Sequence, residues 1–214
     1  MTILLTRAAK GSELTWAEGD ANTTETERRT GAGWRDYPFI IAPPEGSLYA
    51  PTYAVWEDDF RLLVFAPARR TDGEGTIHLD HDYISGTMVY PHHHWTLNTN
   101  NAGVSRWLFT WKFARRADSP TGIIRFSAAQ IIVVETAVPA NSAGLHMVSE
   151  PATGSGMYHP DFDVDTVIML RVTRDGEHVN DTFEADAFSI CGDAHARVDK
   201  IGTTGRTPPF LVDN

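Results

Sequence analysis

The chain has 214 residues, of which 42% are hydrophobic and 21% are charged, a composition typical of a globular protein and not of a disordered one. Its formal net charge of −10 argues against a nucleic-acid partner, because binding to phosphates requires a basic surface. Cys191 is the only cysteine, which excludes an intrachain disulfide, and no apolar run approaches the 18 residues or so that cross a membrane.

Residues 1–33 differ in character from the rest of the chain. The opening residues have no long apolar segment, so we expect no secretory signal. Thr15 and Glu18 have the spacing of a capping box, which predicts a helix over about residues 16–28. Its apolar face is thin, so the helix needs a surface to dock on. A Gly-Ala-Gly run then predicts a hinge between a short helical or extended arm, residues 1–33, and a domain of residues 34–214.

From residue 34 onward the sequence has the pattern of β-strands. The clearest strand places the aromatic side chains of Trp107, Phe109, Trp111 and Phe113 on one face. Turn-rich segments separate the strands, and no helical period follows the arm. We therefore predict an all-β fold, an antiparallel jelly-roll-like β-sandwich of about eight strands. The predicted strands include Arg61–Phe65, Val89–Trp95, Val104–Phe113, Ala129–Glu135, Thr166–Arg174 and Ala187–Val198.

Five of the nine histidines fall in one short stretch that ends at His94. On an extended strand His92 and His94 point to one face, with Tyr90, while His93 points to the other. Two imidazoles at this spacing could share a metal ion if a neighbouring strand supplied a third ligand, and His195 is a candidate, as is the nearby Asp193.

Cupin enzymes hold a metal with a similar pair of histidines, but they add a glutamate four or five residues later. No glutamate stands at that distance after His94. We therefore favour packing and hydrogen bonding of these rings, at a sheet face or between subunits, over metal ligation, and we predict no cofactor.

Two further groups of acids and histidines could support catalysis. In residues 80–82 two aspartates flank a histidine, but they share a strand face that excludes it, which favours a structural ion pair or hydrogen-bond pair. Asp193 and His195 share a predicted face with Ser189, but residues four to six apart on a strand are separated by roughly 13–20 Å. No nucleophile elbow is present. We expect no enzymatic activity.

Several aromatic residues precede the first clear strand. Trp34, Tyr37, Tyr49, Tyr53 and Trp56 could form a surface on which sugar rings stack. Core or subunit contacts account for most of them more simply.

Residues 10–22 resemble an N-terminal tag of tailed-bacteriophage structural proteins, which commonly reads KGSPLTHAEVDANF. The resemblance implies attachment to the virion. The chain departs from the pattern at Glu13, Trp16, Gly19 and Thr23. We assign virion attachment to Leu14, Thr15, Trp16, Glu18, Asp20 and Asn22.

The domain also resembles a β-sandwich module of tailed-phage structural proteins, through HDYxxGT at residues 81–87 and PHxHW at residues 91–95. Further marks are Arg174-Asp175, Asn180-Asp181-Thr182, Ala185-Asp186-Ala187 and Asp193-Ala194-His195. Family members often have valine at the position of His93. The residues predicted to contact another subunit are His92, His93, His94 and Trp95.

This resemblance implies a structural virion protein, such as a head spike, fibre base or capsid decoration protein, assembled in the host cytoplasm. Its expected partners are other capsid, tail or fibre subunits and further copies of itself, as a trimer or as a pentamer at a capsid vertex. It would also aid adsorption to a glycan of the host surface. The first alternative is a tail-fibre or receptor-binding protein that binds carbohydrate, and the second is a metal-dependent cupin-type enzyme.

Overall fold

The computed structural model of the protein describes residues 33–115 and 125–199. The predicted helix and the attachment residues, from Leu14 to Asn22, lie outside these ranges. The described residues form ten strands in two antiparallel sheets, which confirms the prediction of an all-β sandwich. No described helix is long and apolar enough to cross a membrane. The strands are β1 Gly33–Asp36, β2 Thr52–Glu57, β3 Phe60–Phe65, β4 Arg70–His78, β5 Val89–Thr96, β6 Gly103–Ala114, β7 Gln130–Val138, β8 Met147–Ser149, β9 Val167–Asp175 and β10 Ala187–Val198.

The two sheets have the strand order of a jelly roll. One sheet runs β2-β3-β10-β5-β8, and the other runs β4-β9-β6-β7. Without β1 and β2, the eight strands β3 to β10 are arranged as β3-β10-β5-β8 and β4-β9-β6-β7, the order expected of two interlocked Greek keys. β1 pairs with the C-terminal half of β10, while β3 pairs with its N-terminal half. The long strand β10 therefore pairs with both β1 and β3 along one edge and with β5 along the other.

The core lies between the sheets and is built by period-two alternation. β6 buries Trp107, Phe109, Trp111 and Phe113, as predicted, and exposes the alternate residues to varying degrees. From the other sheet, β5 contributes the fully buried Trp95. Burying large aromatic side chains from both sheets supplies the main hydrophobic stabilisation of the sandwich.

A β-bulge interrupts the alternation of β10. The register with β5 shifts between Ser189 and Cys191, so that both faces of the strand exchange at this point. Ser189 therefore points into the core, while Asp193 and His195 point outward. The prediction that these three residues share one face was wrong, because an uninterrupted alternation was assumed.

Residues 80–82 lie in a turn between β4 and β5 and not on a strand, contrary to expectation. Both aspartates of this turn contact Arg35 of β1: its Nη2 is 2.6 Å from Asp82 Oδ2, and its Nη1 is 3.4 Å from Asp80 Oδ2. Their role is therefore the ion pair that was favoured from the sequence. This ion pair connects β1 to the turn that follows β4.

Candidate functional site

An open groove of about 680 Å³ lies over the outer face of the six-stranded sheet. Strands β1, β5 and β10 form its floor, and the residues that follow β8 form one wall. Its lining combines two aromatic rings, two imidazoles and a carboxylate. The lining residues are Trp34, Tyr90, His92, Glu150, Pro151, Ala152, Thr153 and His195.

Strand register brings the polar residues of the groove together. In the pairing of β5 with β10, His92 is directly opposite Asp193, and Tyr90 is opposite His195. On the other side of β10, His195 is opposite Asp36 of β1. Directly opposite residues of antiparallel strands share a sheet face with their Cβ atoms about 5 Å apart. The sequence-predicted candidates His92 and His195 are therefore neighbours in space, and their ring centroids are 4.0 Å apart.

The outward imidazoles of β5 and β10 each contact a carboxylate. His92 Nε2 is 2.9 Å from Glu150 Oε2, and its Nδ1 is 3.3 Å from Asp193 Oδ1. The other oxygen of Asp193, Oδ2, is 2.9 Å from His94 Nε2. His195 Nε2 contacts Asp36 Oδ1. Asp193 therefore joins β10 to both outward histidines of β5.

Burial affects the protonation of His92. Its side chain is only 6% exposed, and burial lowers the pKa of the imidazole, because charging it would cost solvation; the neighbouring His195 acts in the same direction. Asp193 and Glu150 favour the charged ring, but they do not offset these effects. The neutral form of His92 is thus favoured, with a lone pair on one ring nitrogen.

His93 and Trp95 point away from the groove, as alternation along β5 predicted. Both side chains are fully buried in the core, where His93 Nε2 is 3.0 Å from Ser189 Oγ and Trp95 Nε1 donates to Ser149 Oγ. Their prediction as subunit contacts was wrong, because no surface of either side chain is left for a second chain.

Trp34 is the aromatic residue that fits a stacking site. Its side chain is 56% exposed, and its ring is edge-on to Tyr90 with the centroids 5.8 Å apart. The guanidinium of Arg197 lies 5.4 Å from the centre of the indole ring, which holds the ring in place by a cation–π contact. Of the other aromatic residues proposed for such a surface, Tyr37 is buried, and the remaining three, Tyr49, Tyr53 and Trp56, do not line this groove.

A second open groove, of about 670 Å³, crosses the outer face of the four-stranded sheet. Its exposed aromatic residue is Phe126, and its floor carries Lys112 and the ion pair of Arg171 with Glu74. No histidine lines it.

Sequence reasoning missed Glu150 and Asp36. Each is an isolated acid in the sequence, and each reaches a histidine only because β8 and β1 flank the central pair of strands. Neither residue has a local pattern that could have indicated this.

No family model matches the sequence, and no curated protein matches it. Three of the solved structures that resemble it contain carbohydrate-binding modules. The CBM22-1–GH10 modules of Clostridium thermocellum endo-1,4-beta-D-xylanase 10B, complexed with xylohexaose, align with a TM-score of 0.32 and 14% identity over 76% of this chain and 26% of that one. TmCBM61 in complex with beta-1,4-galactotriose aligns with a TM-score of 0.26 and 12% identity, over 80% and 91% of the two chains.

CBM28, a module specific for non-crystalline cellulose, aligns with a TM-score of 0.27 and 12% identity, over 75% of this chain and 84% of that one. This chain spans about a quarter of the length of the xylanase chain. None of these similarities assigns a ligand to it.

Proposed function

We propose that this protein binds a glycan in the groove of Trp34 and acts, without catalysis, in the adsorption of a tailed phage or phage-like particle to its host. The observation that carries the proposal is the pairing of an exposed, fixed indole with hydrogen-bonding groups in one open groove.

The chemistry of the groove suits a sugar. The C–H face of a pyranose ring packs on an aromatic face, while its hydroxyls need donors and acceptors placed around that face. Trp34 and Tyr90 provide the aromatic surface, and Glu150, Thr153 and His195 provide polar groups at its border. An open groove, unlike a closed pocket, accommodates a section of a longer polysaccharide.

The test is a comparison of two aromatic substitutions. Trp34→Ala is expected to weaken glycan binding about tenfold or more, because a central aromatic contact carries much of such an affinity. Phe126→Ala is the matched control: its side chain is 51% exposed and lies in the other groove. Binding is measured on an array of bacterial surface polysaccharides and β-linked oligosaccharides, followed by calorimetry. Absence of any ligand on the array, or loss of binding in Phe126→Ala alone, would contradict the proposal.

A structural role in the virion is the second candidate. It is favoured by the resemblance of residues 10–22 to a phage attachment tag and by that of the domain to a phage structural module. In this case the domain is a homo-oligomeric spike, fibre base or decoration protein whose arm docks on a head or tail subunit.

Fusion of residues 1–33 to a fluorescent protein tests the attachment role. We expect the fusion to co-purify with particles formed during infection, and the double substitution Thr15→Ala/Glu18→Ala to prevent this, because it removes the capping box of the predicted helix. A fusion that stays out of the particles would contradict the role of the arm without affecting the glycan proposal.

A further inference from the structure

Three ligand-type side chains converge at the floor of the groove. One atom each from His92, Asp193 and His195 lies within 4.8 Å of the other two. They come from the two central strands of the sheet, so the backbone that carries them is held by β-pairing on both sides. Such a rigid base is what a metal site requires.

One oxygen of the Asp193 carboxylate lacks a hydrogen-bond donor. Its Oδ1 is buried and receives no hydrogen bond of adequate geometry. The nearest nitrogen, His92 Nδ1, is 3.3 Å away. This distance is long for a charge-assisted hydrogen bond, but two ligand atoms that share a tetrahedral zinc ion are separated by about 3.3 Å, since each lies about 2.0 Å from the metal.

The histidine tautomers also fit a metal. Glu150 contacts Nε2 of His92, and Asp36 contacts Nε2 of His195. If each ring donates its Nε2–H to that carboxylate, the lone pair is on Nδ1. A carboxylate behind a ligating histidine is the usual arrangement in zinc sites, where it fixes the tautomer and makes the imidazole a better ligand.

His94 forms a hydrogen bond, the role favoured for it over metal ligation. Its Nε2 is 2.9 Å from Oδ2 of Asp193, which orients the carboxylate and leaves Oδ1 directed at His92. The sequence-based candidate set of His92, His94 and His195 is therefore replaced by one in which Asp193 is the third ligand.

We propose that His92, Asp193 and His195 bind one divalent transition-metal ion, with a further coordination position open to the groove. Two imidazoles and one carboxylate favour zinc, cobalt or ferrous iron over calcium and magnesium, which prefer oxygen ligands. The ligand atoms, now within 4.8 Å of one another, need to move inward to separations of about 3.3 Å in a tetrahedral site. The inference does not depend on glycan binding.

The full-length protein, stripped with a chelator, is titrated with Zn²⁺ by calorimetry and with Co²⁺ by visible absorption. We expect one ion per chain, bound with a dissociation constant of about 1 µM or lower, and a cobalt spectrum of four- or five-coordinate nitrogen and oxygen ligation. Ca²⁺ and Mg²⁺ should not compete. Absence of stoichiometric binding would overturn the proposal.

Variants locate the ion. Asp193→Asn and His195→Ala should each weaken Zn²⁺ binding at least about tenfold, and Glu150→Gln should weaken it less, because Glu150 acts through His92. The matched control is His78→Ala, since His78 also contacts aspartates, Asp80 and Asp165, at another surface. Loss of binding in the control, or wild-type affinity in Asp193→Asn, would overturn the assignment.

A thermal scan of each variant, with and without Zn²⁺, separates loss of the site from loss of the fold. Wild type and His78→Ala should melt at higher temperature with the ion, because it binds the folded chain. Asp193→Asn should fold and show no such shift. A shift equal to that of wild type would contradict the site.

Discussion

His93 is a titratable ring in an apolar part of the core. It lies against Phe65 and Trp107, with ring centroids 5.4 and 4.3 Å away, and Ser189 is its hydrogen-bond partner. Burial lowers the pKa of His93 to about 3, because the surrounding core offers a charged imidazole no solvation, and nearby His94 adds a smaller effect in the same direction. The ring is therefore neutral in the folded protein at all ordinary pH values.

This shift makes the free energy of unfolding depend on pH. The unfolded ring gains a proton below about pH 6.5, whereas the folded ring stays neutral down to about pH 3, so stability is lost as the pH falls through this window. At pH 4.5 the loss attributable to His93 is about 2–3 kcal/mol. We predict that His93→Val reduces the fall in stability between pH 7 and 4.5 by about this amount, because valine does not bind a proton in the unfolded chain.

Urea denaturation at the two pH values measures the effect. The control is His78→Ala, a histidine substitution at a half-exposed surface position outside the core. An equal fall in wild type and His93→Val would contradict the assignment of the proton to this ring.

At the scale of residues, alternation predicted part of the site. The directions of His92, His93 and His94 follow from the period of a strand, which needs no knowledge of the rest of the fold. The contacts of Glu150 and Asp36 depend on strand pairing across the sheet, and a single sequence contains no signal for such pairing.

At the scale of elements, the strands that were predicted from apolar alternation are all present, with ends shifted by a few residues at most. β4 was not predicted, because Gly73 and Gly75 occupy two of its central positions. Side chains there would overlap Ile41 and Phe39, which come from the segment after β1 and cover this strand. Apolar side chains from another part of the chain therefore cover β4, and the sequence of β4 itself has no apolar alternation.

The loop between β9 and β10 is held by one buried arginine. Arg174 is fully buried and pairs with Asp181, with its Nη2 2.9 Å from Oδ1. It also donates hydrogen bonds to the main-chain oxygens of Phe65, Phe183 and Ala185. These contacts give a structural reason for two of the sequence marks, Arg174-Asp175 and Asn180-Asp181-Thr182.

We predict that Arg174→Met lowers the free energy of unfolding by about 3–5 kcal/mol, because it leaves the carboxylate of Asp181 buried without its partner. The matched control is Arg171→Met on the same strand. Arg171 pairs with Glu74, but both side chains are 42% exposed, and such surface pairs contribute about 1 kcal/mol or less. Urea denaturation compares the two, and equal losses would contradict this account of the loop.

At the scale of the whole molecule, net charge and exposed apolar surface have opposite effects on association between molecules. A net charge of −10 opposes association of the molecules through electrostatic repulsion. In contrast, the hairpin of β2 and β3 exposes Tyr53, Val55 and Phe60, and β2 is an edge strand. Exposed apolar side chains on an edge strand favour pairing with another chain.

We therefore predict that the protein is a homo-oligomer in solution, with a trimer expected of a fibre or spike component. Light scattering should give a mass of three times 23.7 kDa. Val55→Lys should reduce this mass, because a charge on the edge of β2 opposes strand pairing, whereas Ile131→Lys on β7, the edge of the other sheet, should not. The two side chains are exposed to a similar extent, 54% and 60%, so a general effect of added charge would appear in both. A monodisperse wild-type particle of 23.7 kDa would contradict the prediction. A lower mass for Ile131→Lys alone would show that the interface lies on the four-stranded sheet instead.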